Sequence, residues 1–342
     1  MGNSVDAVTA AALIPPIAPV ASGVERPLFS VMLPTYGPGP MLRFTLESVL
    51  AQAPPPDQMQ IAVVDDGSRL EDSARLVREI DPSGRVEIHV DGPHLGISGN
   101  WNRAIGLARG HLVHLLHQDD MVLPGFYARM GRAFLRAPLI GMAFCRSHIV
   151  DAQGHLIKTN SRQRWWPGIL SNWLQRIAIR QRVQTPSAVV ARSTYEVLGG
   201  YRADLCHTLD WEMWVRIAAR MPVWYDPAPL AVFRRHAASE TARLSVNGAQ
   251  WPDLVHAIRI NAELCVHTKN DLLTSRSARW YAGSALREAM RQASRGEHAS
   301  ARATIAHAWR LIQLIADAEA RRAIERRAAA LERSVLSAAR AA

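Results

Sequence analysis

From Leu28 to about residue 136, short apolar runs alternate with helix-patterned segments, and that alternation leaves few possible folds. "LFSVMLP", "MQIAVVDDGS", "RVEIHV" and "GHLVHLLHQDD" each hold an apolar run too short for a helix and end in turn or acidic residues. Their lengths and lack of strict alternation are those of strands covered on both faces. "MLRFTLESVLAQ", "LEDSARLVREI" and "ISGNWNRAIGLARG" lie between them with helical spacing. Strand and helix in turn predict an α/β fold: a mostly parallel sheet with helices on both faces.

Such a sheet binds ligands outside the carboxyl ends of its strands. Three strand ends carry chemically able residues, "PTYG", "DDGS" and "HQDD". Asp65, Asp66, Asp119 and Asp120 are therefore expected along one edge. Carboxylates gathered there raise one another's pKa values, and a bound cation relieves the repulsion. His111, His114 and His117 recur every third residue, which on a strand turns His114 away from the other two. They are expected to pack, with His117 a candidate for lining a ligand pocket at that edge.

Beyond residue 140 the pattern changes. "GMAFCRSHIVDAQGHLIK" reads as a hairpin turning at Gln153-Gly154, and "SAVVARSTYEVLGGYR" as a strand, a helical turn and a glycine corner. "LDWEMWVRIAARM" is an amphipathic helix with Asp210 near its start, and "PVWYDPAPLAVFRRH" reads as two short strands. Past Trp251 the chain is helical throughout. "WYAGSALREAMRQASRGEHASARATIAHAWRL" is a helix pair around Arg295-Gly296-Glu297. One such pair falls short of the three repeats a solenoid needs, so a helical extension is expected.

The 342 residues carry a formal charge of +10. Lysine occurs only at Lys158 and Lys269, so the basicity is arginine in an alanine-rich chain, without a basic run interleaved with aromatics. That argues against a nucleic-acid partner and leaves acidic lipid headgroups as an attraction. Residues 251–342 hold fifteen Arg and Lys against nine Asp and Glu, most of the excess. No stretch has the ~18 apolar residues of a membrane span. The opening residues lack the basic start of a signal peptide and are expected as a flexible tail. Three scattered cysteines, Cys145, Cys206 and Cys265, point to a reducing compartment.

In order and spacing, "SVMLPTYG", "AVVDDGS", "GISGNWNRAIGLARG", "HLLHQDD", "GGYR", "LDWEMWVRI" and "RRH" resemble the family 2 glycosyltransferases, inverting nucleotide-sugar-dependent enzymes of GT-A fold. The resemblance covers about residues 28–240. It implies a tail over 1–27 and a GT-A domain over 28–245, with a nucleotide-binding half to about 120 and an acceptor half over about 121–245. The helical extension is 251–342. It implies that Asp120 contacts a divalent metal, Mn2+ or Mg2+, that His236 touches that metal or the diphosphate, and that Asp119 contacts the donor ribose or sugar. Arg234 and Arg235 add charge toward the phosphates. Asp66 meets the nucleotide base, with Asp65 beside it in the turn, and Pro34, Thr35 and Tyr36 line the base and ribose pocket. Gly37 stands where most members have asparagine, and Gln118 where many have another acid. Asn100 and Asn102 reach the nucleotide, although Asn100 equally suits a helix cap; Trp101 is assigned to the core. Asp210 is the catalytic base, with Glu212 its rival. Gly200, Tyr201, Trp211 and Glu212 fall on the acceptor side.

The activity so implied is metal-dependent inverting transfer of a sugar from a nucleoside-diphosphate donor to an acceptor hydroxyl of a saccharide, lipid-linked or other acceptor. The setting is surface polysaccharide, glycolipid or other glycoconjugate synthesis. The enzyme is expected in the cytoplasm, with peripheral membrane contact through the basic helical C-terminus. Two other classes fit the sequence less well. A sugar-phosphate nucleotidyltransferase wants a basic, glycine-rich first strand end, and "MLPTYGPGP" has no lysine or arginine. An inactive binding scaffold has no use for Asp66, Asp119, Asp120 and Asp210 together.

Overall fold

The computed structural model describes residues 13–37, 39–68, 70–90, 92–246, 248, 250–265 and 270–341. The chain divides into two compact units. One comprises Met1–Ser171, Val183–Cys206 and Arg220–His236; the other Asn172–Arg182, His207–Ala219 and Ala237–Ala342.

The first unit is built on one sheet. Its strands are β1 (Phe29–Thr35), β2 (Met59–Asp65), β3 (Glu87–His89), β4 (Leu112–Leu115), β5 (Met121–Val122), β6 (Met142–Val150), β7 (Leu156–Thr159), β8 (Gly168–Ile169), β9 (Ala188–Ala191) and β10 (Val223–Arg234). They lie in the order β3-β2-β1-β4-β9-β6-β10-β5, with β7 on β6 and β8 on β10. The pairs β3-β2, β2-β1 and β1-β4 are parallel, as is β6-β10. Strand β9 runs antiparallel to both β4 and β6 and joins the two parallel groups. Every residue of β1 and β2 is buried, in keeping with their continuous apolar character. Helices α1 (Met41–Leu50), α2 (Leu70–Ile80), α3 (Gly96–Leu107), α4 (Phe126–Arg136) and, after α5 below, α6 (Arg192–Leu198) complete the unit. In α1 the buried residues are Leu42, Thr45, Leu46 and Val49, the spacing of one helical face. Each Leu or Val withdrawn from water in this way contributes about 1.5–3 kcal/mol.

Three expectations change here. The "PVWYDPAPLAVFRR" segment is one twelve-residue strand, not two short ones. Its register against β6 shifts between Asp226 and Pro229 and again before Ala231, because prolines cannot donate to the ladder and the strand bulges past them. Residues 1–12 of the expected tail lie outside the described residues, but the rest of it is laid onto the unit. Ile17 is buried, Gly200 N–H donates to Pro15 O and Ala203 N–H to Leu13 O, and Arg192 reaches Ala18 O. Of the three spaced histidines, His114 is fully buried between the Tyr127 hydroxyl and Pro186 O, whereas His111 is exposed and does not pack.

The second unit is helical: α5 (Trp173–Ile177), α7 (Leu209–Ala218), α8 (Glu240–Val246), α9 (Gln250–Leu264), α10 (Asn270–Ser294), α11 (His298–Ile312) and α12 (Ala318–Ala341). The α10–α11 hairpin turns at Gly296, whose φ of +79° suits glycine. Buried Ala285, Ala289, Ala301 and Ala308 let backbones approach closely, with Ile305 and Val335 filling the space between. The helical region therefore takes in α5 and α7, which the expected boundary at residue 245 left in the acceptor half. Among the described residues, no helix is long and apolar enough to cross a membrane.

Candidate active site

The carboxyl ends of β1, β2 and β4 bring the predicted acids of the first unit to one edge. At the end of β2, Asp65 is wholly buried and turns the chain: Oδ1 accepts from the Thr35 and Ser73 hydroxyls at 3.1 and 3.0 Å, and Oδ2 from Ser68 N–H at 2.7 Å. Asp66 reaches the following loop. Its Oδ1 accepts from Leu95 N–H at 2.7 Å, and His94 Nδ1 stands 3.0 Å from its Oδ2. Gly67 between them has φ +79°, and a Cβ there would lie 2.9 Å from His94 N, so glycine is required. The His94 ring packs against exposed Tyr36 with centroids 4.7 Å apart. Gly37 adopts φ +56°, a left-handed conformation that asparagine also tolerates, which reconciles it with the family residue.

After β4 the chain turns tightly, Asp120 N–H donating to His117 O at 3.2 Å. Strand β5 then pairs antiparallel with β10. That pairing sets Arg234 N–H on Asp120 Oδ1 at 2.9 Å and His236 Nε2 on Asp119 Oδ2 at 2.7 Å. The second Asp120 oxygen is buried without a hydrogen bond, 3.4 Å from His117 Nδ1. Burial, with the Asp119 charge adding to it, pushes the Asp120 carboxyl up to about 6, while His117 opposes the shift. One ligand atom each from His117, Asp119 and Asp120 lie within 4.8 Å of one another. Two carboxylates and an imidazole around an orphaned oxygen fit a divalent cation.

The sequence reading put His236 among the metal ligands and left His117 to the pocket. In the structure His117 joins the cluster, and His236 braces Asp119 from outside it. The signal was present: a turn over four residues brings positions i and i+3 together. Buried Trp101 backs the His117 ring at 4.7 Å, the core role expected of it. Gln118, where relatives carry an acid, pairs with both the N–H and C=O of Tyr36 and ties the two strand ends together. Arg234 turns its guanidinium onto the carbonyls of Asp119, Asp151 and Ala152, so it does not point at phosphates; Arg235 is exposed.

Several other expected contacts are occupied by the fold. Asn100 is buried, and its amide donates to Val64 O and, at 3.4 Å, to Thr35 O, holding β1 and β2 rather than capping α3. Asn102 exchanges two hydrogen bonds with the Tyr201 backbone, at 2.8 and 2.7 Å, instead of reaching a nucleotide. Thr35 is closed onto Asp65, and Pro34 is buried in β1. Of the acceptor-side residues, Gly200 is pressed so close to Asn102 that a Cβ would fall 2.2 Å from its Oδ1. Tyr201 is fully buried. Trp211 is buried with its indole N–H on Ile177 O at 2.7 Å. Glu212 is buried in a two-pronged ion pair with Arg216, both bonds 2.9 Å. All four are buried, and the Glu212 carboxylate is taken up by Arg216.

In the helical unit, Asp210 is half-buried in the first turn of α7. Its Oδ1 accepts from Trp211 N–H at 2.6 Å and its Oδ2 from the Gln181 amide at 2.7 Å. Gln181 N–H in turn donates to the buried Tyr281 hydroxyl of α10 at 3.1 Å. Burial raises the Tyr281 phenol well above its usual range, and the Asp210 charge adds to that. Asp253 of α9 fixes the start of α7 by accepting from His207 N–H, Thr208 N–H and the Thr208 hydroxyl. Sequence reasoning missed Gln181, Asp253 and Tyr281, which lie 29 to 71 positions from Asp210 and share no motif with it.

Comparison with known proteins assigns the class. Residues 30–191 match Glycosyl transferase family 2. An uncharacterized protein of Mycobacterium tuberculosis is 30% identical over 236 residues, 66% of this chain and 72% of the relative. TarS 1-349 of S. aureus, solved with UDP-GlcNAc, shares the fold at TM-score 0.62 and 13% identity over 91% of both chains. A mannosyltransferase of Pyrobaculum calidifontis, PcManGT, solved with GDP-Man and Mn2+, does so at TM-score 0.51 and 19% identity over 95% of this chain and 89% of its own. The chain belongs to glycosyl transferase family 2. It is a glycosyltransferase with a GT-A unit and a helical C-terminal region.

Proposed function

We propose that this glycosyltransferase moves a sugar from a nucleoside-diphosphate donor to an acceptor hydroxyl, with inversion, and that it depends on Mn2+ or Mg2+. The buried, hydrogen-bond-free oxygen of Asp120 beside Asp119 and His117 carries the reading. Those three residues would hold the cation, which when bound offsets charge on the leaving diphosphate. His236 fixes Asp119, and the Arg234 backbone fixes Asp120. Tyr36 and His94 offer the base a ring surface, which Asp66 steadies through His94. Asp65, Thr35, Pro34, Asn100 and Asn102 shape the donor edge from behind.

Asp210 is proposed as the general base. An alcohol that keeps its proton is a weak nucleophile, and a carboxylate in hydrogen-bond reach removes it as the new bond forms. The N-terminus of α7 favours the ionised form. Acceptors are proposed among saccharides, lipid-linked sugars and other hydroxyl compounds of surface polysaccharide, glycolipid or glycoconjugate synthesis. The enzyme is proposed to work in the cytoplasm. Peripheral contact with a membrane is proposed as well, and exposed Arg322, Arg326 and Arg327 of α12 are one cationic surface on which it can be tested.

The test is a screen of UDP-, dTDP- and GDP-sugars, read as nucleoside diphosphate release with and without acceptor. Chelation or Asp120→Asn is expected to abolish release. Full activity in chelated, metal-free enzyme would remove the cation from the reading.

A further inference from the structure

Helix α4 and the loop before β8 carry a hollow of the GT-A unit that holds none of the candidate site residues. Arg129, Arg132 and Arg136 follow one side of α4 at spacings of three and four. With Pro167, Trp224 and Asp226 they line a hollow of about 190 Å³. Arg129 neutralises Asp226 through two 2.8 Å bonds. Exposed Arg132 and Arg136 then leave the hollow cationic. On β10, Asp226 is eight residues from Arg234, about 25 Å along a strand, so the hollow is remote from the donor edge.

The segments that line this hollow also carry bare apolar side chains, next in sequence to its lining residues. Trp165 and Trp166, directly before Pro167, are 71% and 74% exposed; Leu135 and Leu139, at and just beyond the end of α4, are 76% and 85% exposed. No other large apolar side chain among the described residues is as exposed. Arginines are interleaved with them. The Arg162 guanidinium lies 4.4 Å over the Trp165 ring, and Arg164 Nη1 donates to Ile169 O at 2.9 Å. Tryptophan with arginine is the chemistry of a membrane–water interface, where the ring sits at headgroup depth and the cation meets phosphate. Protruding side chains enter a fluid bilayer without a matching hollow, whereas a folded acidic partner would need one for each. The net charge of +10 draws the chain to an anionic surface over a distance.

We propose that this face docks on an anionic lipid surface, with Trp165 and Trp166 entering the headgroup boundary and Arg132, Arg136, Arg162 and Arg164 meeting lipid phosphates. The inference deepens the proposed membrane contact and moves it from the C-terminal helices to the GT-A unit; it does not depend on sugar transfer.

Full-length protein is cosedimented with phosphatidylcholine vesicles, with and without about 30% phosphatidylglycerol, at ~0.1 M salt. Binding is expected for the anionic vesicles alone, with tryptophan fluorescence quenched by brominated acyl chains. Trp165→Ser with Trp166→Ser, and separately Arg132→Glu with Arg136→Glu, are each expected to weaken binding roughly tenfold or more, the first also losing the quenching. Unchanged melting would show that both variants fold. Arg322→Glu with Arg326→Glu and Arg327→Glu is expected to bind as wild type. The proposal is overturned if anionic vesicles do not bind, if neutral vesicles bind equally, or if the face variants bind as wild type. Loss of binding in the α12 variant alone would return the contact to those helices. Calorimetric binding of glycerol phosphate without vesicle binding would make the hollow a small-anion site and also overturn it.

Discussion

The donor edge and the Asp210 helix hold their carboxylates by opposite means. At the edge, Asp119 and Asp120 follow β4, and their partners are its neighbours in the turn and the end of one strand, Arg234 and His236. Sheet pairing does the positioning. Asp210 is held by the Gln181 amide, and the start of its helix by Asp253. These come from separated segments that meet only because the helical unit has packed. The two proposed sites therefore differ in origin, one set by strand register and the other by remote helices. The C-terminal region is more than an accessory layer, since α9 and α10 build the surroundings of Asp210.

The sharpest challenge to that contrast is Asp210→Asn, which keeps size and a capping oxygen but removes the base. Transfer should fall about 10²–10⁴-fold while donor binding, read by calorimetry, stays at wild-type strength. Transfer at near wild-type rate would remove Asp210 from the chemistry. Next is Asp253→Ala. It strips the acceptor from two buried N–H groups and a hydroxyl, and should cost about 3 kcal/mol in denaturant unfolding. If the Asp210 helix depends on remote support, turnover should fall as well at temperatures where the protein stays folded.

The donor edge has its own liability in His114 of β4, fully buried and held at about 4 by desolvation, below its ordinary 6.5. Between those values the unfolded chain binds a proton that the folded one refuses. Stability is therefore full above pH 6.5 and falls as pH drops toward 4. From pH 7 to 5 the loss should be about 2 kcal/mol, and His114→Gln should flatten that slope. The smallest effect is expected from Gln181→Ala. Asp210 keeps Trp211 N–H and loses the side-chain bond, so kcat should drop about tenfold with little change in donor KM. Melting at the wild-type temperature would show that the loss lies in positioning rather than in folding.

Much of the donor edge was legible in the sequence. Four strand-like runs, two of them ending in paired acids, become parallel strands with Asp65, Asp66, Asp119 and Asp120 at one edge, because alternating apolar runs and helices leave few ways to bury both faces of a sheet. The β6–β7 hairpin and the α7 helix also read correctly. Other assignments failed where local pattern says little about partners. Asn102 looked like a ligand residue but faces the Tyr201 backbone; Glu212 looked like a rival base but is locked onto Arg216 four residues on. The prolines of β10 read as a break, yet a bulge carries the strand past them.

The sequence by itself determined the class of fold, the edge on which the acids gather and the helical character of the C-terminal region. Each follows from periodicity and from turn chemistry over a few residues. Tertiary structure alone decided which oxygen of Asp120 stays without a hydrogen bond, that His117 rather than His236 completes the cluster, and that Gln181 holds Asp210. Those outcomes depend on strand register and on helix packing between segments far apart in the chain. A one-residue slip or a rotated helix would exchange every such partner without altering the local pattern.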